Sequence, residues 1–248
     1  GCARETGVAD GGKTVLADFF VASQEGADLF LNNATHVDLL PEGAHLVFPP
    51  REVASTETEK SGPTLFVAAL LHERALSLSL AGAGAGFGIG LVFPHPGPLM
   101  SWTRHEEGGI TVYRDLRGVS LASTVPFDLE EEGEASVRCI PCPFGVAGVA
   151  DVAGVTDSST ENFTLYCAFA GDDSAALASR LAGSCAVEAH CARVAEFIAE
   201  IPLTFGDTAL DEAVAWARVT AWMRLAASRA HMGAPWSDFR DRVLALLW

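Results

Sequence analysis

Residues 162–184 read NFTLYCAFAGDDSAALASRLAGS, and two different patterns meet within this stretch. Its first half is rich in aromatic residues and is typical of a β-strand. Its second half begins with Asp172, Asp173 and Ser174, which are common helix N-caps, continues through Ala and Leu, and reaches Gly183. The stretch therefore predicts a change from strands to helices near residue 172.

Strand-like segments dominate the chain before that point. They are THVDLL (35–40), AHLVFPP (44–50), TLFVAALL (64–71), ALSLSLAG (75–82), IGLVFP (89–94), GITVYRD (109–115), GVSLASTVPFDL (118–129), ASVRCIPCPF (135–144) and NFTLYCAFAG (162–171). ALSLSLAG alternates apolar and small residues with period two, as a strand with one buried face does. Many short strands without amphipathic helices between them favour an antiparallel sandwich or barrel-like domain.

Helical patterns follow residue 172. AVEAHCARVAEFIAEI (186–201) places apolar residues near one helix face, and GDTALDEAVAWARVTAWMRLAAS (206–228) begins with Asp207 or Thr208 as an N-cap. We expect an α+β chain in three parts. These are an N-terminal tether with the first strands (1–34), an antiparallel β-sandwich domain (35–171) and a helical part (172–248).

The composition limits the class of partner. The chain has 16 Lys and Arg against 32 Asp and Glu, a formal net charge of −16. A polyanion is repelled by such a charge, so nucleic acid is not an expected partner. No apolar run approaches the roughly 20 residues that a membrane-spanning helix needs, so we expect no transmembrane segment.

Cysteines offer two hypotheses. Cys2 follows Gly1 and precedes a polar, Gly-rich segment, and this arrangement resembles the lipidated cysteine of bacterial lipoproteins. The resemblance predicts a lipid anchor at Cys2, and an ordinary terminal cysteine is the alternative. Cys139 and Cys142 have the CxxC spacing of redox and zinc sites, but the second ligand pair of a zinc site is missing. Buried thiols or a disulfide are the favoured interpretation of this pair.

Residues 1–205 contain no catalytic motif. The glycines of AGAGAGFGIG (81–90) are followed by prolines, whereas a dinucleotide-binding loop opens a helix, so a glycine-rich strand is favoured and no cofactor is expected. The acidic run DLEEEGE (128–134) is interpreted as a solvated turn between strands. Glu106 and Glu107, before two glycines, predict a hairpin turn, and the histidines lack metal-motif spacing, so no metal is expected.

A resemblance appears at the long helical segment and the loop after it. The order of an antiparallel β domain, a linker helix and a Trp-containing loop resembles the front part of glycogen-debranching, amylo-α-1,6-glucosidase-like glycoside hydrolases. In that family a β supersandwich precedes a six-hairpin α/α barrel. The linker positions that match are Asp207, Leu210, Asp211, Ala213, Trp216 and Ala217.

The loop GAPWSDFRD (233–241) carries the second part of the resemblance. The family's loop is Gly-x-Pro-Trp leading to Gly-Arg-Asp-Thr, and this chain has Phe239 and Arg242 in place of the last glycine and the threonine. The resemblance implies that Trp236, Arg240 and Asp241 contact a sugar. It also implies that the catalytic carboxylates belong to a following barrel, so no catalytic residue is expected in this chain.

These observations lead to one function and two alternatives. We expect a non-catalytic β-sandwich domain of a debranching-type glycoside hydrolase that binds α-glucan or docks a catalytic domain or a second protein. A lipid-anchored bacterial surface or periplasmic binding domain is the first alternative, and a hydrolase on an unfamiliar scaffold is the second. Leu244, Leu246, Leu247 and Trp248 predict a C-terminal helix that pairs in a homodimer or packs on the β domain. The location follows from Cys2: bacterial cytoplasm without a lipid, periplasm or cell surface with one.

Overall fold

In the computed structural model the chain has an α+β fold, in which antiparallel sheets come first and helices follow. The structure describes residues 8–10, 13–24, 27–50, 62–70, 73–81, 86–94, 101–107, 109–132, 135–142, 162–200 and 204–230. The strands are β1 (Val8–Asp10), β2 (Lys13–Leu16), β3 (Asp18–Ser23), β4 (Leu29–Phe30), β5 (His36–Leu40), β6 (Gly43–Val47), β7 (Thr64–Leu70), β8 (Ala75–Ala81), β9 (Phe87–Val92), β10 (Trp102–Glu107), β11 (Ile110–Asp115), β12 (Ser120–Ser123), β13 (Phe127–Glu132), β14 (Ser136–Pro141) and β15 (Asn162–Ala168). The helices are α1 (Ser174–Ala182), α2 (Ala186–Glu200) and α3 (Thr208–Ala230).

The larger sheet has eight antiparallel strands in the order β10-β11-β12-β15-β8-β7-β6-β5. Two groups of strands that are consecutive in sequence, β5 to β8 and β10 to β12, form its two sides. Strand β15 lies between them and pairs with β8 over its whole length, from Asn162 opposite Ala81 to Ala168 opposite Ala75. The last strand of the described residues thus joins the two sides of the sheet.

The second sheet has five strands in the order β13-β14-β9-β3-β4 and packs on the first. The inward side chains of both sheets form one apolar core, including Leu78 and Leu165 from the larger sheet and Ile89 and Val137 from the smaller. On the outer face of the smaller sheet, the ring of Phe20 lies against Gly90, which is its cross-strand partner. A side chain at position 90 would overlap that ring, so the close packing of Phe20 requires glycine at this position.

Helices α1 and α2 cover the outer face of the larger sheet. Leu181 of α1 and Ala186 of α2 pack against Leu70 and Tyr166 of the strands in a second apolar cluster. Helix α3 packs on α2, where the rings of Phe197 and Trp222 stack with centroids 4.9 Å apart. Arg218 of α3 donates hydrogen bonds to the carbonyl oxygens of Phe197 and Ile198 near the end of α2, which satisfies terminal acceptors of that helix.

The predicted fold class, strands followed by helices, is confirmed. Each strand-like segment named from the sequence overlaps at least one strand, and Gly88 and Gly90 lie in a strand rather than in a nucleotide loop. The N-cap at Asp207 is also confirmed, since its Oδ1 accepts bonds from the N–H groups of Ala209 and Leu210 at 3.0 and 3.2 Å. Within the described residues no helix is long and apolar enough to cross a membrane.

The structure bears on two local expectations, a hairpin turn and an acidic turn. The hairpin turn after Glu107 is confirmed, because Glu107 pairs with Ile110 across it. The acidic run at 128–134 was expected to be a turn. That expectation is wrong for residues 128–132, because Phe127–Glu132 forms strand β13 at the edge of the smaller sheet, and residues 133 and 134 lie outside the described residues. An edge strand has one unpaired side, and exposed charges there discourage pairing with another chain.

Candidate functional site

The residues predicted to bind sugar, Trp236, Arg240 and Asp241, lie outside the described residues, and so does Cys2 with its predicted lipid. Their roles stay predictions. Mass spectrometry of the native protein tests the lipid directly, since acylation adds the mass of the fatty chains to the N-terminal peptide. The described part of the chain offers a different candidate site.

This site begins with side chains that share one face of the larger sheet and one line across it. The pairing registers place in that line, from β15 to β5, the residues Thr164, Ser79, Phe66, His45 and Asp38, which we call the cross-strand row. The neighbouring line contains Asn162, Ala81 and Thr64. Both lines lie toward one end of the strands, whereas Tyr166, Ala168 and Leu70 farther along the same strands pack under the helices.

An open groove of about 480 Å³ lies over these two lines. Its floor is the sheet, and residues Val187 and Glu188 in the first turn of α2 form one wall. Thr164, Ser79 and Phe66 are half-buried in the floor, and His45 and Glu188 are exposed at its borders. The groove has the form of a shallow binding site that is open to long ligands.

Along the floor two hydroxyl groups, of Thr164 and Ser79, are followed by the two rings of Phe66 and His45. Thr164 Oγ1 donates a hydrogen bond to Ser79 Oγ at 3.0 Å. The His45 ring meets the edge of the Phe66 ring, with centroids 5.4 Å apart and an interplanar angle of 74°. Phe66 therefore presents an apolar surface between neighbours that donate and accept hydrogen bonds, the combination that suits a ligand with hydroxyl groups and apolar faces.

Tyr166 links the groove to the helix beside it. Its side chain is 6% exposed, and its phenol oxygen accepts a hydrogen bond from the Val187 N–H. Burial, together with the nearby Glu188 carboxylate, raises the pKa of Tyr166 to about 12. The phenol is thus neutral throughout the physiological range, and it holds the start of α2 at the border of the groove.

The charges near the groove are mainly negative. Glu188 stands on the helix wall, and Asp38 at the far end of the cross-strand row bonds His36 Nε2 at 2.8 Å. Carboxylates repel anionic ligands and accept hydrogen bonds from hydroxyl groups, so the groove favours a neutral, hydroxyl-rich ligand over an acidic one. Among the described residues no group of three or more His, Cys, Asp or Glu side chains is placed to hold a metal ion.

The CxxC pair is not a joint site. Cys139 is fully buried in the sandwich core and Cys142 lies at its border with Sγ 3.5 Å from Asp128 Oδ2; both are free thiols. Burial raises the pKa values of both thiols, and the Asp128 carboxylate adds to the effect at Cys142. The interpretation as structural thiols is confirmed for Cys139, since a raised pKa suppresses the reactive thiolate.

A smaller cavity of about 160 Å³ lies on the other side of α2. Arg180 and Glu73 at its border form an ion pair at 2.5 Å, and His190 Nε2 donates a hydrogen bond to the Glu42 carbonyl oxygen at 3.1 Å. A carbonyl oxygen only accepts, so Nε2 of His190 carries the hydrogen in this contact. These contacts tie the helices to the sheet, and the cavity offers less room than the groove.

Comparison with known proteins gives no functional assignment: no protein-family model matches the chain, and no curated protein matches it. The site must therefore be judged by its own chemistry. Sequence reasoning missed the cross-strand row because its members are far apart in the chain. The available signal was weak: Thr164, Ser79 and Phe66 each occupy outward positions of strands whose inward positions are apolar.

Proposed function

We propose that the chain is a non-catalytic carbohydrate-binding β-sandwich domain, related to the front part of debranching-type glycoside hydrolases, and that it binds α-glucan in the groove over the cross-strand row. The observation that carries the proposal is the pattern of the groove floor, in which Phe66 lies between the hydroxyl groups of Ser79 and Thr164 and the imidazole of His45. The choice of α-glucan among carbohydrates rests on the resemblance of residues 207–241.

The physical basis is the double character of a sugar ring. Its C–H face packs on an aromatic ring, and its hydroxyl groups exchange hydrogen bonds with Ser, Thr, Asn and carboxylate side chains. A half-buried Phe66 supplies the first kind of contact, and Asn162, Thr64 and Glu188 around it supply the second. Because the groove is open, it can take up an internal segment of a polymer, and the end of the polymer does not have to enter first.

The experiment is calorimetric titration of the protein with maltoheptaose, together with an assay for released reducing sugar. We expect binding without release of sugar. The variant Phe66→Ala should weaken binding about tenfold, because the loss of one stacked ring costs on the order of 1.4 kcal/mol. Phe205→Ala is the matched control, since Phe205 is 58% exposed and does not line the groove.

The outcomes separate the parts of the proposal. Absence of maltoheptaose binding at millimolar concentration refutes carbohydrate binding by this domain. Binding that Phe66→Ala and Phe205→Ala weaken equally refutes the placement in the groove. Release of reducing sugar in the presence of the protein, but not in a control without it, contradicts the non-catalytic assignment and favours the hydrolase alternative.

A further inference from the structure

The orientation of α2 shows in which direction the groove runs. The first turn of the helix contacts Tyr166 of β15, and one turn later His190 bonds the carbonyl oxygen of Glu42, in the turn between β5 and β6. In the sheet, β15 is separated from β6 by β8 and β7. Helix α2 therefore crosses the strands, and the groove along its side crosses them too.

The cross-strand row is longer than the groove. The groove, which the start of α2 encloses on one side, reaches from Asn162 and Thr164 of β15 to His45 of β6. The row continues by one more strand to Asp38 of β5, whose carboxylate and the attached His36 ring are both exposed. Five neighbouring strands span four spacings, or about 19 Å, which is the length of several sugar units rather than one.

We infer, on the premise of the proposed function, that the groove binds a linear oligosaccharide laid across the strands, with Asp38 and His36 contacting the units beyond the enclosed part. The Phe66 ring lies in the middle of the row and holds the central unit by stacking. Asp38 accepts hydrogen bonds from sugar hydroxyl groups, and His36, tied to it at 2.8 Å, orders the carboxylate. Affinity then grows with the length of the chain until the row is filled.

The test is a titration series from maltose to maltoheptaose on the wild type and on Asp38→Ala. We expect the wild-type affinity to rise with chain length and then to level off. Asp38→Ala should weaken maltoheptaose binding about fivefold, the effect of one lost hydrogen bond, and leave maltose binding unchanged. Asp172→Ala is the control, because Asp172 is also an exposed carboxylate in an ion pair, and it pairs with Arg114 away from the groove.

Each outcome decides a different statement. Length-dependent affinity with a selective effect of Asp38→Ala supports the extended mode. Equal affinity for maltose and maltoheptaose, with no effect of Asp38→Ala, overturns the extended mode and leaves carbohydrate binding intact. Lack of binding at every length overturns the proposed function and this inference together. Circular dichroism of both variants shows whether they are folded like the wild type.

Discussion

Replacement of Gly90 by alanine tests the packing of the smaller sheet. A Cβ atom at this position would lie closer than 3.0 Å to three ring carbons of Phe20, and Phe20 is only 3% exposed. The ring cannot move outward freely, because Phe30 packs on it with centroids 4.9 Å apart. Gly90→Ala should therefore force either the ring or the strand from its place.

The magnitude follows from two opposing effects. Overpacking of this kind costs about 1 to 3 kcal/mol, and the overlap with three ring atoms indicates the upper part of that range. Alanine in place of glycine lowers the entropy of the unfolded chain, which returns about 0.5 to 1 kcal/mol. We expect the free energy of unfolding to fall by about 2 kcal/mol, or the melting temperature by roughly 4 to 8 °C for a chain of this size.

The assay is urea unfolding of the wild type, Gly90→Ala, Phe20→Leu and the double variant. In the Phe20→Leu background the obstacle is smaller, so Gly90→Ala should be neutral or slightly stabilising. The coupling free energy of the cycle should thus be about 2 kcal/mol. Additive effects, or a Gly90→Ala variant as stable as the wild type, would show that the Phe20 ring is free to move and that the packing argument is wrong.

Three further predictions concern other contacts. The wild type should lose stability between about pH 10 and about pH 12, because the phenol of Tyr166 ionises near pH 10 in the unfolded chain but keeps its proton up to about pH 12 in the folded one. Tyr166→Phe should lose less stability over this window, and thermal unfolding at about pH 10 and about pH 12 measures the difference. Cys185 is exposed and Cys167 is fully buried. In the native protein a disulfide reagent should therefore label Cys185 quickly and Cys167 only on unfolding. Mass spectrometry of the labelled wild type and of labelled Cys185→Ser tests this, since the variant should lack the rapid label. Trp216 Nε1 donates to the Leu39 carbonyl at 3.3 Å at the edge of the larger sheet, so Trp216→Phe should lower the free energy of unfolding by about 1 kcal/mol in urea titration.

Most of the strands after residue 35 could be predicted, because local sequence patterns indicate them. In β8 the alternation of Leu76, Leu78 and Leu80 with small residues specifies which face lies in the sandwich core, and all three leucines lie there. The start of α3 was predictable for the same reason, since an N-cap acts on the next two or three residues of the chain. The second half of β13, residues 130–132, was not, because its glutamates have low β-propensity and only its place at a sheet edge explains them.

The candidate site could not be predicted, because it depends on which strands become neighbours. Thr164 and Ser79 form a hydrogen bond across 85 residues of sequence, and nothing local to either residue indicates the other. Phe66 and His45 become neighbours only through the register of β6 and β7. A shift of one residue in any of these pairings would turn the same side chains to the opposite face.

The position of β15 has a consequence for how the protein is made. While a ribosome is still synthesising the segment before residue 162, the strands β5 to β8 and β10 to β12 are already available, but β8 and β12 each lack a partner on one side. Open strand edges of this kind are where nascent chains pair with each other and aggregate. Chaperone demand during translation should therefore be greatest before β15 leaves the ribosomal tunnel, and it should fall once that strand fills the gap.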